Sequence, residues 1–234
     1  MNILGEAHEN LVYPRRISRL AGYIAELLPR NAQVLDVGCG DGRLALEISD
    51  LRPDVQIAGI DVLVRRKTFI PVAHFDGTAL GYDNGSFDVV TFVDVLHHTT
   101  CPTILLREAA RVARNSVIVK DHTRNGLFAG ARLRFMDWVG NARHGVVLPY
   151  NYWPRERWRA ELQLLELGVE SWRSDLRLYP RWASWMFDAS LHFIAKLTRD
   201  NMSGSKERAE SCAQPASTHH SPGEYRPTWE PPTK

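Results

Sequence analysis

Apolar positions along this chain fall into short dense runs separated by helical stripes. Ile17, Leu20, Ala21, Ile24, Leu27 and Leu28 recur at helical spacing, with Arg15, Arg16, Arg19 and Glu26 off the stripe. Pro14 suits the start of that helix and Pro29 its end. Dense runs at 32–37, 55–61, 71–75, 87–93 and 116–120 read as five strands. Helices are expected between them at 43–50, with Leu44, Ile48 and Leu51 on one face, and at 102–112, where Pro102 fits the first turn. Segment 62–69 is short for a crossover helix and is expected to make one or two turns only. Strand and helix alternate with short connections, which argues an α/β fold: a doubly wound, mostly parallel sheet with helices on both faces.

Beyond the fifth strand the alternation breaks. Residues 123–152 are too apolar for a linker and too long for a plain loop, with Phe128, Leu133, Phe135, Met136, Trp138, Val139 and Leu148 among several arginines. A helix over 127–140 is expected there, inserted after strand five as a lid or substrate wall. Residues 154–167 form a clearer amphipathic helix, with Trp158, Leu162 and Leu165 on one face and Gly168 as its stop. Runs at 169–176 and 191–197 read as two closing strands, antiparallel to each other in a hairpin-like pair, giving seven strands in all. One domain is expected over 1–200. From Asp200 the aliphatics vanish among Ser, Pro, His, Glu and Lys, so 201–234 is expected to be a disordered tail. Trp172, Trp182 and Trp185 are expected in the core.

Composition narrows the class without naming it. The 234 residues suffice for one well-buried α/β domain, and a formal charge of +2 is too small to argue for nucleic acid. Cys39, Cys101 and Cys212 have neither metal-ligand spacing nor an even-numbered framework, so a reducing, cytoplasmic setting is expected. No apolar run approaches the length of a spanning helix, and the first ten residues do not read as a signal peptide.

The chemistry lies at the strand ends. Val34-Leu35-Asp36-Val37-Gly38-Cys39-Gly40-Asp41-Gly42 runs from a buried strand through an acid into three alternating glycines, then into a helix. Such a turn lets a ligand touch the backbone, and the helix behind it aims its free N–H groups at that ligand. A bare strand–helix turn is the plainer alternative. Asp61, Asp76, Asp94 and Asp121 sit at or just after the other strand ends, where ligands of such sheets bind. The third glycine follows after one residue rather than two, which speaks against the dinucleotide fingerprint and a nicotinamide-dependent oxidoreductase.

Taken together, these motifs resemble class I S-adenosylmethionine-dependent methyltransferases, closest to the small-molecule branch, over residues 30–121. The resemblance assigns cofactor binding to Asp36, Gly38, Cys39, Gly40 and Gly42 in the turn. It assigns the ribose hydroxyls to Asp61, the adenine to Asp76 and Gly77, and the fourth-strand motif to Asp94 and the Leu96-His97-His98 that follows. It implies S-adenosyl-L-methionine as cofactor and a small-molecule or lipid-like acceptor, with Tyr13 and Arg15 capping the cofactor from the first helix. A cofactor-binding, non-catalytic partner protein is the alternative of a different class.

Local readings stay open at several residues. Cys39 fits the turn by its small size better than as a nucleophile, since no base is paired with it in sequence. From a strand, His97 and His98 cannot both face one site, and no spacing completes a metal set, so no metal is expected. His122 is the candidate base, against an ordinary surface histidine. Between 124 and 159 lie seven arginines against two acids. They read as a solvated face, as a site for an anionic or lipid-headgroup acceptor, or as peripheral membrane contact through Phe135, Met136 and Trp138.

Overall fold

A computed structural model describes residues 13–126, 128–141, 150–180, 184, 187–188 and 191–199, with backbone only for 137–141. The elements run α1 (Tyr13–Leu27), β1 (Gln33–Val37), α2 (Arg43–Leu51), β2 (Gln56–Asp61), β3 (Val72–His74) and β4 (Phe87–Val93). A single 3-10 turn (Leu96–His98) then precedes α3 (Pro102–Val112), β5 (Ala113–His122), α4 (Ala129–Asn141), α5 (Arg155–Leu164), β6 (Leu167–Arg173) and β7 (His192–Arg199). The tail, Trp182, Trp185, Trp138's side chain and Cys212 lie outside the described residues. Trp172 is half-buried and stacks on Phe193 with ring centroids 4.1 Å apart.

Seven strands form one sheet in the order β3-β2-β1-β4-β5-β7-β6. β1 to β5 pair in parallel, and β7 runs antiparallel to both β5 and β6. The closing strands thus pair antiparallel with each other as expected. β7 lies between β5 and β6, so after β5 the chain first lays down the edge strand β6 and then returns with β7 beside β5.

Alternation along β1 shows why the sheet is covered twice. Leu35 and Val37 enter a core with Leu105, Leu106 and Ala109 of α3 and Trp158 and Leu162 of α5. Val34 enters the opposite core, with Leu20, Ala21 and Ile24 of α1 and Ile48 of α2. Successive strand residues point to opposite faces, so a strand buried on both must be apolar throughout. Asp36 is the exception, and it shares Val34's face.

Two expectations about element length are corrected. Segment 62–69 makes no helix. Only ten residues separate β2 from β3, fewer than a crossover helix requires, and Val62, Leu63 and Phe69 lie exposed. β5 also runs on past Lys120 through Asp121 and His122, because β7 pairs with both: Asp121 opposite Phe193 and His122 opposite His192. Polar residues could join a buried strand there only because each finds a polar partner.

The helix expected in the inserted segment is α4. Its start at Leu127 falls outside the described residues. Ala129 and Leu133 pack with Tyr152 and Leu191, beside the carboxyl end of β5.

Candidate active site

The carboxyl ends of β1, β2 and β4 converge on the glycine turn. Gly38 N–H and Cys39 N–H both donate to the Ile60 carbonyl, at 2.7 and 3.3 Å. Gly40 N–H donates to Asp61 Oδ2 at 2.8 Å, so the acid ending β2 holds the turn of β1. Asp61 Oδ1 accepts from Leu63 N–H. Gly38 and Gly40 have φ of 72° and 63°, conformations that side-chain-bearing residues rarely adopt. A Cβ at Gly38 would lie 2.5 Å from Val95, whereas one at Gly40 would meet nothing within 4 Å. The turn is therefore packed on the β4 side and open at Gly40.

Gly38, Cys39 and Asp41 of the turn line a cleft of about 160 Å³, together with Tyr13, Arg16, Asp36 and Asp94. Tyr13, Arg16, Ile17 and Leu20 of α1 form one wall at helical spacing. Of the two arginines at the start of α1, Arg16 lines the cleft and Arg15 is exposed. A larger hollow of about 570 Å³, lined by Leu28, Arg30, Asn31, Arg52 and Asp54, sits at the opposite edge of the sheet. Its best donors are already used: Arg52 pairs with Asp54 and donates to the carbonyls of Ala25, Leu28 and Pro29.

The acids around the cleft are tuned differently. Asp36 is buried and accepts from Thr91 Oγ1 at 2.7 Å. Burial pushes its pKa up to about 6, with the Thr91 bond opposing and the Asp61 charge adding. Burial, then Asp36 and Asp61, also push the Cys39 thiol up, so it stays protonated and unreactive. Its sulfur lies where a Cβ on Gly59 would be, 2.6 Å away, which makes it a small packing residue. Asp94 pairs with Arg16 on one oxygen and with the wholly buried Lys120 on the other. Burial works against its ionisation, but Lys120 and Arg16 together hold its carboxyl below the usual range. Asp76 lies outside this lining. Its Oδ1 accepts from Thr78 N–H, Thr78 Oγ1 and Ala79 N–H, shaping the turn that contains Gly77.

Behind Asp94 lies a buried polar cluster that the sequence did not announce. His97 and His98 sit on the 3-10 turn rather than a strand, with ring centroids 4.0 Å apart. His97 Nδ1 is 2.6 Å from Asp121 Oδ1. Asp121 also accepts from the N–H groups of Leu96 and His97 on Oδ2 and of His122 on Oδ1. Burial opposes its ionisation, yet His97 and these donors hold its carboxyl low. The tautomer that fits has Nδ1–H donating to Asp121, which leaves Nε2 as the basic atom. His97, Asp121 and His122 bring ligand atoms within 4.8 Å of one another. The Asp121 carboxylate is already saturated by backbone donors and by His97, so the set fits an anchored histidine better than a cation.

His122 is buried, not on the surface. Burial and the Lys120 charge lower its pKa well below the ordinary histidine value, against the pull of Asp121. Its Nδ1 lies 3.6 Å from Asp94 Oδ1, and its ring meets that of His97 edge-on at 4.7 Å. Tyr152 stacks on the other side of His97, at 5.2 Å. Beyond Tyr152 opens a second cavity, of about 500 Å³, lined by Arg124, Gly130, Ala131, Arg134, Tyr150 and Tyr152.

Residues 7–171 match the family model of the methyltransferase domain, and the chain belongs to that family, the S-adenosylmethionine-dependent class its motifs resemble. The 27-O-demethylrifamycin SV methyltransferase of Amycolatopsis mediterranei is 29% identical over 121 residues, covering 45% of this chain and 44% of the relative. The ribosomal RNA small subunit methyltransferase G of Mycobacterium leprae is 35% identical over 68 residues, 29% of this chain and 27% of that one. The match thus spans less than half the length of either relative. Among solved structures, the cyclase SpnF superposes with a TM-score of 0.56 at 16% identity, over 78% of this chain and 80% of that one. That likeness concerns the fold alone, and this fold carries more than one chemistry. Among the described residues no helix is long and apolar enough to cross a membrane.

Proposed function

We propose that this chain transfers a methyl group from S-adenosyl-L-methionine to a small acceptor. The observation that carries the reading is the cleft itself, at the carboxyl ends of β1 and β4: its lining brings together Gly38 and Cys39 of the glycine turn, Tyr13 and Arg16 of α1, and the acids Asp36, Asp41 and Asp94. Its chemistry fits a zwitterionic, cationic nucleoside. Arg16 suits a carboxylate, Asp36, Asp41 and Asp94 suit an ammonium, and the spare lone pairs of Asp61 suit ribose hydroxyls. Asp76 and Gly77, outside the lining, would take the adenine, with Asp76 Oδ2 as acceptor. The cleft, of about 160 Å³, is smaller than the roughly 300 Å³ typical of small-molecule sites, so Arg16 would have to swing away from Asp94 to admit the cofactor.

When bound, S-adenosylmethionine supplies a methyl group already activated by its sulfonium. The chain must then align the acceptor, exclude water and, for a hydroxyl acceptor, remove a proton. His97 is the base this geometry favours, with Asp121 positioning its ring. Neutral, buried His122 is the poorer choice, because its low proton affinity leaves little driving force for proton transfer. The segment carrying α4 is the acceptor wall, and Phe135 at its exposed edge is compatible with a lipid-like acceptor or a membrane surface. The longer match to a small-molecule methyltransferase supports a small acceptor over RNA.

Calorimetry with S-adenosylhomocysteine tests the reading. Micromolar binding is expected, weakened at least about tenfold by Asp61→Ala, in line with the loss of a charge-assisted hydrogen bond. No binding to folded protein at millimolar ligand sinks it.

A further inference from the structure

The cavity beyond Tyr152 has a composition of its own. Among the described residues, its charged lining residues are Arg124 and Arg134, and its other side chains of any size are Tyr150 and Tyr152. Neither guanidinium has a carboxylate partner among the described residues, in a chain where Arg16, Arg52, Arg111, Arg114, Arg157, Arg173 and Arg177 all do. Arg134 instead stacks over the Tyr150 ring at 5.5 Å. A guanidinium resting on an aromatic face keeps its N–H fork directed outward in its own plane, the geometry that grips a carboxylate or phosphate through two bonds. Arg124 comes from the loop directly after β5, tied by its backbone N–H to the Trp153 carbonyl. Arg134 comes from α4. Two separate elements thus each place an exposed arginine on the lining of one space of about 500 Å³, a size suited to a small ligand.

The cavity also has a fixed relation to the proposed base. Its floor is the buried Tyr152 ring, which stacks on His97, and Tyr152 Oη donates to the Leu133 carbonyl of α4. Tyr150 continues the aromatic wall, 6.3 Å from Tyr152. This space is thus lined by two guanidiniums and two aromatic rings, and the Tyr152 ring stands between it and the His97–Asp121 pair.

We infer that this cavity takes the methyl acceptor and that the acceptor is an aromatic molecule bearing an anionic group, carboxylate or phosphate, at the end away from the methylated atom. The inference rests on the methyl-transfer reading for what happens to that molecule, but the anion preference is a property of the cavity alone. Arg124 and Arg134 hold the anion, and Tyr150 and Tyr152 flank the ring. The hydroxyl end then lies on the Tyr152 side of the space, the side nearer His97. The excess of arginines in this part of the chain is thereby divided: two serve the acceptor, while Arg159 is exposed and outside the cavity.

The test uses 4-hydroxybenzoate and its neutral counterpart 4-hydroxybenzamide as probes, titrated into the full chain at low salt with and without S-adenosylhomocysteine. The benzoate should bind about tenfold tighter than the benzamide, the scale of one charge-assisted pair. The preference should shrink as salt is raised. Arg124→Gln with Arg134→Gln should reduce it to within about twofold, leaving melting temperature and S-adenosylhomocysteine binding unchanged, and Arg159→Gln should preserve it. If the double variant does not fold, each single variant should lose part of the preference. Equal binding of the two probes, binding of neither, or a preference that survives the double substitution overturns the inference. A preference that holds while S-adenosylhomocysteine fails to bind sinks the methyl-transfer reading instead.

Discussion

Asp94 joins the buried ammonium of Lys120 to the guanidinium of Arg16, and so ties the core of the sheet to the wall of the cleft. Asp94 has a φ of 58°, a backbone state that an acid tolerates better than a branched residue does. Lys120 is fully buried and its other contact is His192 Nδ1 at 3.2 Å. Asp94→Ala strands that ammonium without an anion, and breaking a buried pair this way costs about 3–5 kcal/mol. Lys120→Met should cost less, because Asp94 keeps Arg16 and can reach water. Urea denaturation of the two variants decides it, and an Asp94→Ala loss below about 1 kcal/mol contradicts the pairing. The carboxyl of Asp94 is held low, so its contribution is present above the ordinary carboxylate range and is lost as pH falls through the folded value.

Asp36 titrates with the opposite sign. Its folded pKa of about 6 lies above the ordinary value near 3.9, so the native state binds this proton more tightly than the unfolded chain. Its contribution is full below about pH 4 and is lost as pH rises through about 6, by about 2–3 kcal/mol. Asp36→Asn keeps the shape without the charge. The variant should be about 1–2 kcal/mol more stable than the wild type at neutral pH and no more stable at pH 4. The gain comes with weaker S-adenosylhomocysteine binding, since the ammonium of that ligand favours the ionised acid. Equal stability differences at both pH values would falsify the assignment.

Two glycines of one turn should fail in different ways. At Gly38 an alanine combines a φ of 72° with a methyl 2.5 Å from Val95. Strain and overpacking together should cost about 2–4 kcal/mol, read as a large drop in melting temperature. At Gly40 the methyl meets no protein atom within 4 Å, so only the backbone term of about 1 kcal/mol applies. Gly40→Ala should therefore fold and lose cofactor affinity, because its methyl projects into the open side of the turn. Gly40→Ala with unchanged affinity places the ligand elsewhere.

How much of this was legible in the chain depends on whether a contact is local. The glycine turn, its helix and the strand-end acids are short-range patterns, and the structure assembles them as written. The pairing of His97 with Asp121 is not local. It arises because β4 and β5 align Val93 with Lys120, which sets Asp121, the next residue of β5, beside the 3-10 turn that follows β4. Strand-end acids on neighbouring parallel strands were the available signal, but a register cannot be read from one sequence. The same holds for Lys120 and His192, which meet only because β7 inserts beside β5. Arg16 was a matter of helical phase. It follows Tyr13 by three positions and precedes Leu20 by four, so it shares their face, and its long stem lets a charge border an apolar stripe.

His97 and His122 differ in what they can do, though both are buried and their rings touch. His97 Nδ1 is engaged by Asp121, which fixes the ring and leaves Nε2 as acceptor. His122 is held neutral by burial and by Lys120, with its Nδ1 facing Asp94 and Asp121. A positioned general base contributes about 10²–10⁴-fold to a proton-transfer step. His97→Gln should lower the rate of labelled-methyl transfer to a phenolic acceptor by that scale while S-adenosylhomocysteine affinity stays within about threefold. Asp121→Asn should also slow transfer, because an amide can present its N–H to Nδ1 and favour the wrong tautomer, and raising the pH should restore little of it. His122→Gln should alter stability more than turnover, since its loss removes a neutral, packed ring rather than a proton acceptor. If His122→Gln abolishes transfer while His97→Gln spares it, the base is the residue that ends β5 and not the one on the 3-10 turn.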